Sequence, residues 1–356
     1  MTGGGKIMYR KPILGLWLVI TISVLLVSAC ASLETAGNSE LPDLGTIKVG
    51  YLPVTGYAPF YIGVEKGYFA EQGLDVELER FDSGSKMIAP LSTGQLDVGA
   101  GEPGTAMFNA AHQGLEMKAI CGMAAQAPGH GGVPFLVRAD LFNSGEVSKP
   151  ADLEGKKIAV NVLHGMSEFT VSKAMEQGGL TIDDAELITI SFPDMLPAFA
   201  NGAIDAAPLP YPLAEKAIND GSAVVFLKGD EIGGTIQNGV LYYGKRFLDP
   251  RNKEIGVRFM LAYFKGLREL MDEYWSNEEN LAIISEYTNL PPEVIQSGIK
   301  SYYDPNCEFV HQSLEETQNY YVSRGYTEFA ETLPLSDVLD ESFREEAVDR
   351  IGEYQD

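Results

Sequence analysis

Apolar residues recur in two rhythms along this chain. Short runs such as Ile47-Lys48-Val49-Gly50-Tyr51 and Asp97-Val98-Gly99-Ala100 have the length and bulk of buried strands, and each leads into a loop carrying Gly or Pro and then a helical stretch. Between them, Gln72 to Glu79 alternates apolar with acidic side chains, the period of a strand with one wet face. The turn Asp82-Ser83-Gly84-Ser85 supplies N-cap residue types ahead of a helix. Strands and helices joined by short connections predict a parallel sheet covered on both faces. From Arg258 onward the rhythm changes. Phe259, Ala262, Tyr263, Gly266, Leu267 and Leu270 fall at spacings of three and four, a buried helical stripe.

The strand-helix pattern occurs twice. Met87, Gly94 and Asp97 return as Met195, Gly202 and Asp205 under a single shift of 108 residues. Both copies read as helix, glycine stop and short buried strand, with the glycine placed as a left-handed C-cap. Upstream, Ile47 to Leu52 aligns with Ile158 to Leu163 at a shift of 111. Two copies of one α/β unit predict two lobes with a cleft between them, whereas a solenoid would need a third copy. The Gly- and Pro-bearing segment Gln126 to Gly132 reads as a crossing between lobes, and Gly233 to Gly239 as the return.

A different apolar run, Ile13 to Val27, is preceded by Lys6, Arg10 and Lys11 and closes on Val27-Ser28-Ala29-Cys30. It is shorter than the ~20 residues that span a bilayer. The pattern predicts a lipoprotein signal peptide over residues 1–29, lipid attachment at Cys30, and a small, polar tether over 30–45. It places the mature protein at the extracytoplasmic face of a cell membrane, held by its lipid anchor. The leader carries three basic and no acidic residues, so its loss would take the formal charge from -24 to -27. So acidic a chain, with no basic stripe, argues against a nucleic-acid partner. Four histidines and three cysteines show no metal-ligand spacing, and no cofactor is called for. Cys121 sits in an apolar run that reads as a buried strand; pairing with Cys307 stays open.

Gly50-Tyr51-Leu52-Pro53, Ala58 to Phe69, Gln72-Gly73-Leu74-Asp75-Val76 and Gly94 to Gly99 together resemble the NMT1/THI5-like, or SsuA-like, solute-binding proteins of ABC importers. The likeness is specific in the first third and only general in the helical C-terminal part. It implies the type II periplasmic-binding-protein fold, with 46–127 and 236–356 forming lobe 1 and 128–235 lobe 2. It also implies a monomer that closes on a small solute and hands it to a membrane permease with its ATPase. The family takes nitrate, sulfonates, taurine, thiamine pyrimidine precursors or riboflavin. A pyrimidine synthase also resembles this fold, but it has a cysteine cluster that is missing here, and no nucleophile elbow, paired carboxylates or phosphate loop speaks for an enzyme. A lipid-anchored sensory protein would need the same cleft.

In open α/β sheets, ligands bind beyond the carboxyl ends of the strands. That rule nominates Tyr57, Phe60, Ser85, Glu102, Thr105, Gln126, His164, Ser167, Asp194, Tyr211 and Asn238 as ligand-binding residues. The nominated loops hold no arginine, and Lys86 is their only fixed cation, so an oxyanion would lack its usual bidentate clamp. Tyr57, Phe60 and Tyr211 could face a flat ring while Glu102, Gln126, Asp194 and Asn238 meet its polar rim. A neutral heteroaromatic solute is expected, riboflavin first and a thiamine pyrimidine precursor second.

Overall fold

The computed structural model describes residues 1–5, 44–271 and 275–355. Residues 6–43, which hold the rest of the predicted leader and nearly all of the tether, Cys30 included, lie outside the described residues. The first sheet contains β1 (Ile47–Tyr51), β2 (Val76–Arg80), β3 (Val98–Gly101) and β4 (Met117–Gly122). After β5 (Ala124–Gln126) the chain enters a second sheet of β6 (Phe135–Arg138), β7 (Lys157–Val160), β8 (Glu186–Thr189), β9 (Ala206–Pro208) and β10 (Ala223–Leu227). It returns through β11 (Ile236–Gln237) to β12 (Val240–Gly244), and β13 (Tyr302–Tyr303) comes from the helical C-terminal part.

The two sheets have one plan. Their orders are β2-β1-β3-β12-β4 and β8-β7-β9-β6-β10. In each, the first three strands are parallel and the fourth is antiparallel to its neighbours. The fourth strand always enters from the other sheet: β12 follows the return and β6 follows the outward crossing. This is the type II periplasmic-binding-protein arrangement of two α/β lobes. A small antiparallel sheet, β11-β5-β13, gathers the outward segment, the return segment and a third strand that the sequence pattern did not reveal.

The repeated Asp explains why the sequence repeats. Asp97 Oδ2 accepts the Lys48 backbone N–H (3.0 Å) and Nη2 of Arg246 (2.9 Å), while Arg246 Nε lies 2.6 Å from Oδ1 at an angle too bent for a hydrogen bond. In the second copy Asp205 accepts the Lys157 N–H (2.9 Å) and Nη1 of Arg138 (2.9 Å). Arg246 lies just beyond β12 and Arg138 ends β6, so each Asp ties a parallel strand to the antiparallel fourth one. Gly94 and Gly202 hold φ of 75° and 72°, as their C-cap role requires. Lys48 and Lys157 are 109 residues apart, so the upstream alignment at a shift of 111 is corrected by two residues. Side chains on a strand alternate with period two, so a two-residue slip keeps every apolar position on its face and the pattern cannot detect it.

The C-terminal stripe is buried as expected: the helix Lys253–Arg268 carries Phe259, Ala262, Tyr263 and Leu267 into the core. Gly266 lets it approach the helix Ala58–Glu65 so closely that a Cβ there would stand 2.3 Å from the Pro59 carbonyl oxygen. Cys121 and Cys307 are both buried free thiols.

Candidate functional site

The carboxyl ends of β1, β3, β7 and β9 open on one cavity of about 120 Å³. The loop after β1 contributes Thr55 and Tyr57, the end of β3 contributes Glu102, and Asn161 follows β7. Tyr211 comes from the loop after β9, and Met166 and Ser167 from the first turn of the helix Met166–Glu176. Parallel strands put their loops on the same side of each sheet, so two such sheets facing each other enclose a site without dedicated machinery.

Of the nominated residues, Tyr57, Glu102, Ser167, Tyr211 and Asn238 line this cavity. The Tyr57 hydroxyl donates to the Ala100 carbonyl (2.7 Å), which fixes the ring at the cavity wall. Ser167 Oγ donates to Asn161 Oδ1 (2.7 Å) and is committed there. Asn238 Nδ2 is buried with no hydrogen-bond partner among the described residues, a donor left for a solute. Ser85, Thr105 and His164 line an adjoining recess that shares Glu102. There, Thr105 Oγ1 donates to the His164 carbonyl (2.9 Å), and the His164 ring stacks on Tyr326 at 3.8 Å.

Three nominated residues stand elsewhere. Phe60 is fully buried against Tyr263 and Phe259, because the helix that begins at Ala58 turns it inward. Gln126 is fully buried in β5, with its side-chain amide facing the carbonyls of Gly229 (3.0 Å) and Val133 (3.1 Å), which assigns the nitrogen to that side. Asp194 is exposed and accepts from Ser191 Oγ (2.5 Å) near the start of the helix Phe192–Ala200. Lys86 is exposed and pairs with Asp82 at 2.6 Å. Asn161, Met166 and Phe192 were missed. The strand-end rule applied to β7 points to Asn161; nothing in the pattern distinguishes Met166 or Phe192.

Contacts link the loops of the two sheets across the cavity. Thr55 Oγ1 donates to the Tyr211 carbonyl (3.0 Å), and the Glu102 carboxylate lies against the start of the helix Met166–Glu176. A Cβ on Gly165 would stand 2.6 Å from Glu102 Oε1, so glycine at this N-cap leaves room for the carboxylate at the helix start. Burial raises the Glu102 carboxyl to about 7, with only the nearby Met166 N–H opposing it. Part of its surface opens on the cavity, so it is a carboxyl on a cavity wall and not one packed into the core. No Lys, Arg or His is among the residues lining this cavity, and Glu102 is their only carboxyl group.

The NMT1/THI5-like family model matches residues 54–273. A putative binding protein of Brucella abortus is 31% identical over 175 residues, 49% of this chain and 50% of that one. The chain thus spans about half the length of that curated relative. The riboflavin-binding protein RibY of Chloroflexus aurantiacus is 22% identical over 263 residues, 70% of this chain and 72% of its own. Among solved structures, the periplasmic nitrate-binding protein NrtA of Synechocystis superposes with a TM-score of 0.73 at 17% identity, covering 88% of this chain and 90% of that one.

Proposed function

The chain belongs to the NMT1/THI5-like family, and we propose that it is the extracytoplasmic, lipid-anchored solute-binding component of an ABC importer. In this reading 46–127 with 236–356 closes against 128–235 around a small solute, and a permease with its ATPase takes the loaded form. The observation that carries it is the cavity itself, built from the strand ends of both sheets and lined by Tyr57 and Tyr211 with no cationic side chain. Closure of two lobes buries most of a small solute and gives a permease a loaded shape to recognise.

The solute we put first is riboflavin. Aromatic walls suit a flat ring, an oxyanion finds no side-chain cation among the lining residues, and one relative is a riboflavin-binding protein. The cavity of about 120 Å³ is small beside the roughly 300–1,000 Å³ of ordinary ligand sites, so the lobes must part to admit riboflavin. That same size favours a thiamine pyrimidine precursor as the second reading. Fluorescence titration of the leaderless protein with riboflavin tests the choice. Saturable one-to-one quenching supports riboflavin; a flat titration with a thermal shift from a pyrimidine precursor keeps the receptor and replaces the solute.

A further inference from the structure

Among the described residues lining the cavity Glu102 carries the only carboxyl group, and its position is built rather than incidental. It follows β3, whose Gly101 packs so tightly on Gly84 that a Cβ there would meet the Gly84 backbone at 2.9 Å. Its own carbonyl is held by the Tyr242 hydroxyl (2.7 Å). Its carboxylate crosses to the start of the helix Met166–Glu176, where Gly165 leaves room for it and the Met166 N–H favours its charged form. The first turn of a helix is where an anionic solute would be expected to bind, and here the protein's own carboxylate already occupies it.

The residues lining the cavity and its adjoining recess include no Lys or Arg, and His164 is the one imidazole among them. Tyr57 from the β1 loop, Tyr242 from β12 and Tyr321 from the helix His311–Ser323 feel the Glu102 charge, and each phenol is itself pushed up by burial. On the facing helix, Glu168 Oε2 accepts the His164 backbone N–H (2.7 Å), and the His164 ring is stacked on Tyr326. An oxyanion entering this cavity would meet a carboxylate and find no side-chain cation among the lining residues. A solute bearing N–H groups would meet an acceptor waiting in a low-dielectric wall.

We propose that Glu102 makes this cleft select solutes that present a nitrogen-bound hydrogen-bond donor, neutral or cationic, and reject oxyanions, and that solute binding expels the Glu102 proton. The proposal rests on the solute-binding reading above. The linkage has a definite sign. A donor solute stabilises the carboxylate, so affinity is full above the raised value near 7 and falls by up to about tenfold per pH unit below it.

Calorimetric titration of the leaderless protein at pH 5.5 to 8.5 with riboflavin, thiamine, ethanesulfonate and nitrate tests this, beside Glu102→Gln. Riboflavin or thiamine should bind with the pH dependence just given, and Glu102→Gln should bind about tenfold or more weakly at pH 8 with a flat profile. Micromolar binding of ethanesulfonate or nitrate to the parent protein, or the same pH slope in Glu102→Gln, overturns the proposal. If neither riboflavin nor thiamine binds, the choice of solute fails, and the ligand-free proteins decide the inference. A carboxyl raised by folding favours the fold below its ordinary range and loses that contribution as pH rises through about 7. The melting temperature of the parent should therefore fall relative to Glu102→Gln between pH 5.5 and 8.5, and a constant difference overturns the proposal.

Discussion

Replacing Asp97 by Ala removes the group that joins β1 to the end of β12, and the cost can be worked from its contacts. Two hydrogen bonds to a charged acceptor disappear, from the Lys48 N–H (3.0 Å) and Arg246 Nη2 (2.9 Å). Each is worth about 1.5–3 kcal/mol net. The Asp97 side chain is 4% exposed, but that of Arg246 is 37% exposed and can turn to water once released, so the loss falls below the simple sum. We expect about 3 kcal/mol. The matching change Asp205→Ala is an internal control. Its side chain is 18% exposed, and Arg138 keeps Asp140 as a partner at 2.6 Å, so about 2 kcal/mol is expected. Urea denaturation followed by circular dichroism reads both. At a slope of about 3 kcal/mol per molar, Asp97→Ala should lower the midpoint by about 1 M. A loss below about 0.5 kcal/mol, or a larger loss at Asp205 than at Asp97, would refute the reasoning. Combining Asp97→Ala with Arg246→Ala should cost clearly less than the two single changes together, since the second change removes a cation already without its partner.

Gly266→Ala should destabilise by about 1–3 kcal/mol despite alanine's better helix propensity, because its Cβ would press on the Pro59 carbonyl; unchanged stability in urea would show that the two helices can separate at no cost. Glu254, held near 2 by Arg350 and Arg258, has a folded pKa below its ordinary value. Its contribution is therefore present above about 4.5 and lost as pH falls toward 2, so Glu254→Gln should flatten the acid limb of a stability-versus-pH curve in that window. Tyr211→Ala should weaken solute binding by about 1 kcal/mol or more if the ring faces the solute, and equal affinity by calorimetry would remove Tyr211 from the site.

The duplicated unit was legible because its marks are local. Gly94 and Gly202 are stops that need a left-handed backbone, and an Asp three residues later in each copy accepts from a neighbouring strand. Equally local, the spacing of Phe259, Ala262, Tyr263 and Leu267 announced the buried face of their helix. The strand-end rule brought Tyr57, Glu102, Ser167, Tyr211 and Asn238 to one cavity wall, because loop position follows directly from strand direction. It could not say which way a residue at a loop-to-helix junction turns, and so Phe60 was nominated although helix geometry directs it into the core.

What the sequence determined by itself, then, is the recurring strand-helix unit, its order and its doubling, since propensity, capping and periodicity act within a few residues of one another. Tertiary structure alone decided the exchange of fourth strands between sheets, the joining of β13 to β5, and the strand register that moved the upstream alignment by two residues. It also decided that the carboxylate of Glu102 lies against Gly165 at the helix start in the other sheet's half of the cleft. Those outcomes depend on groups far apart in the chain meeting at hydrogen-bonding distance, and one-dimensional spacing carries no record of which surfaces will be brought together.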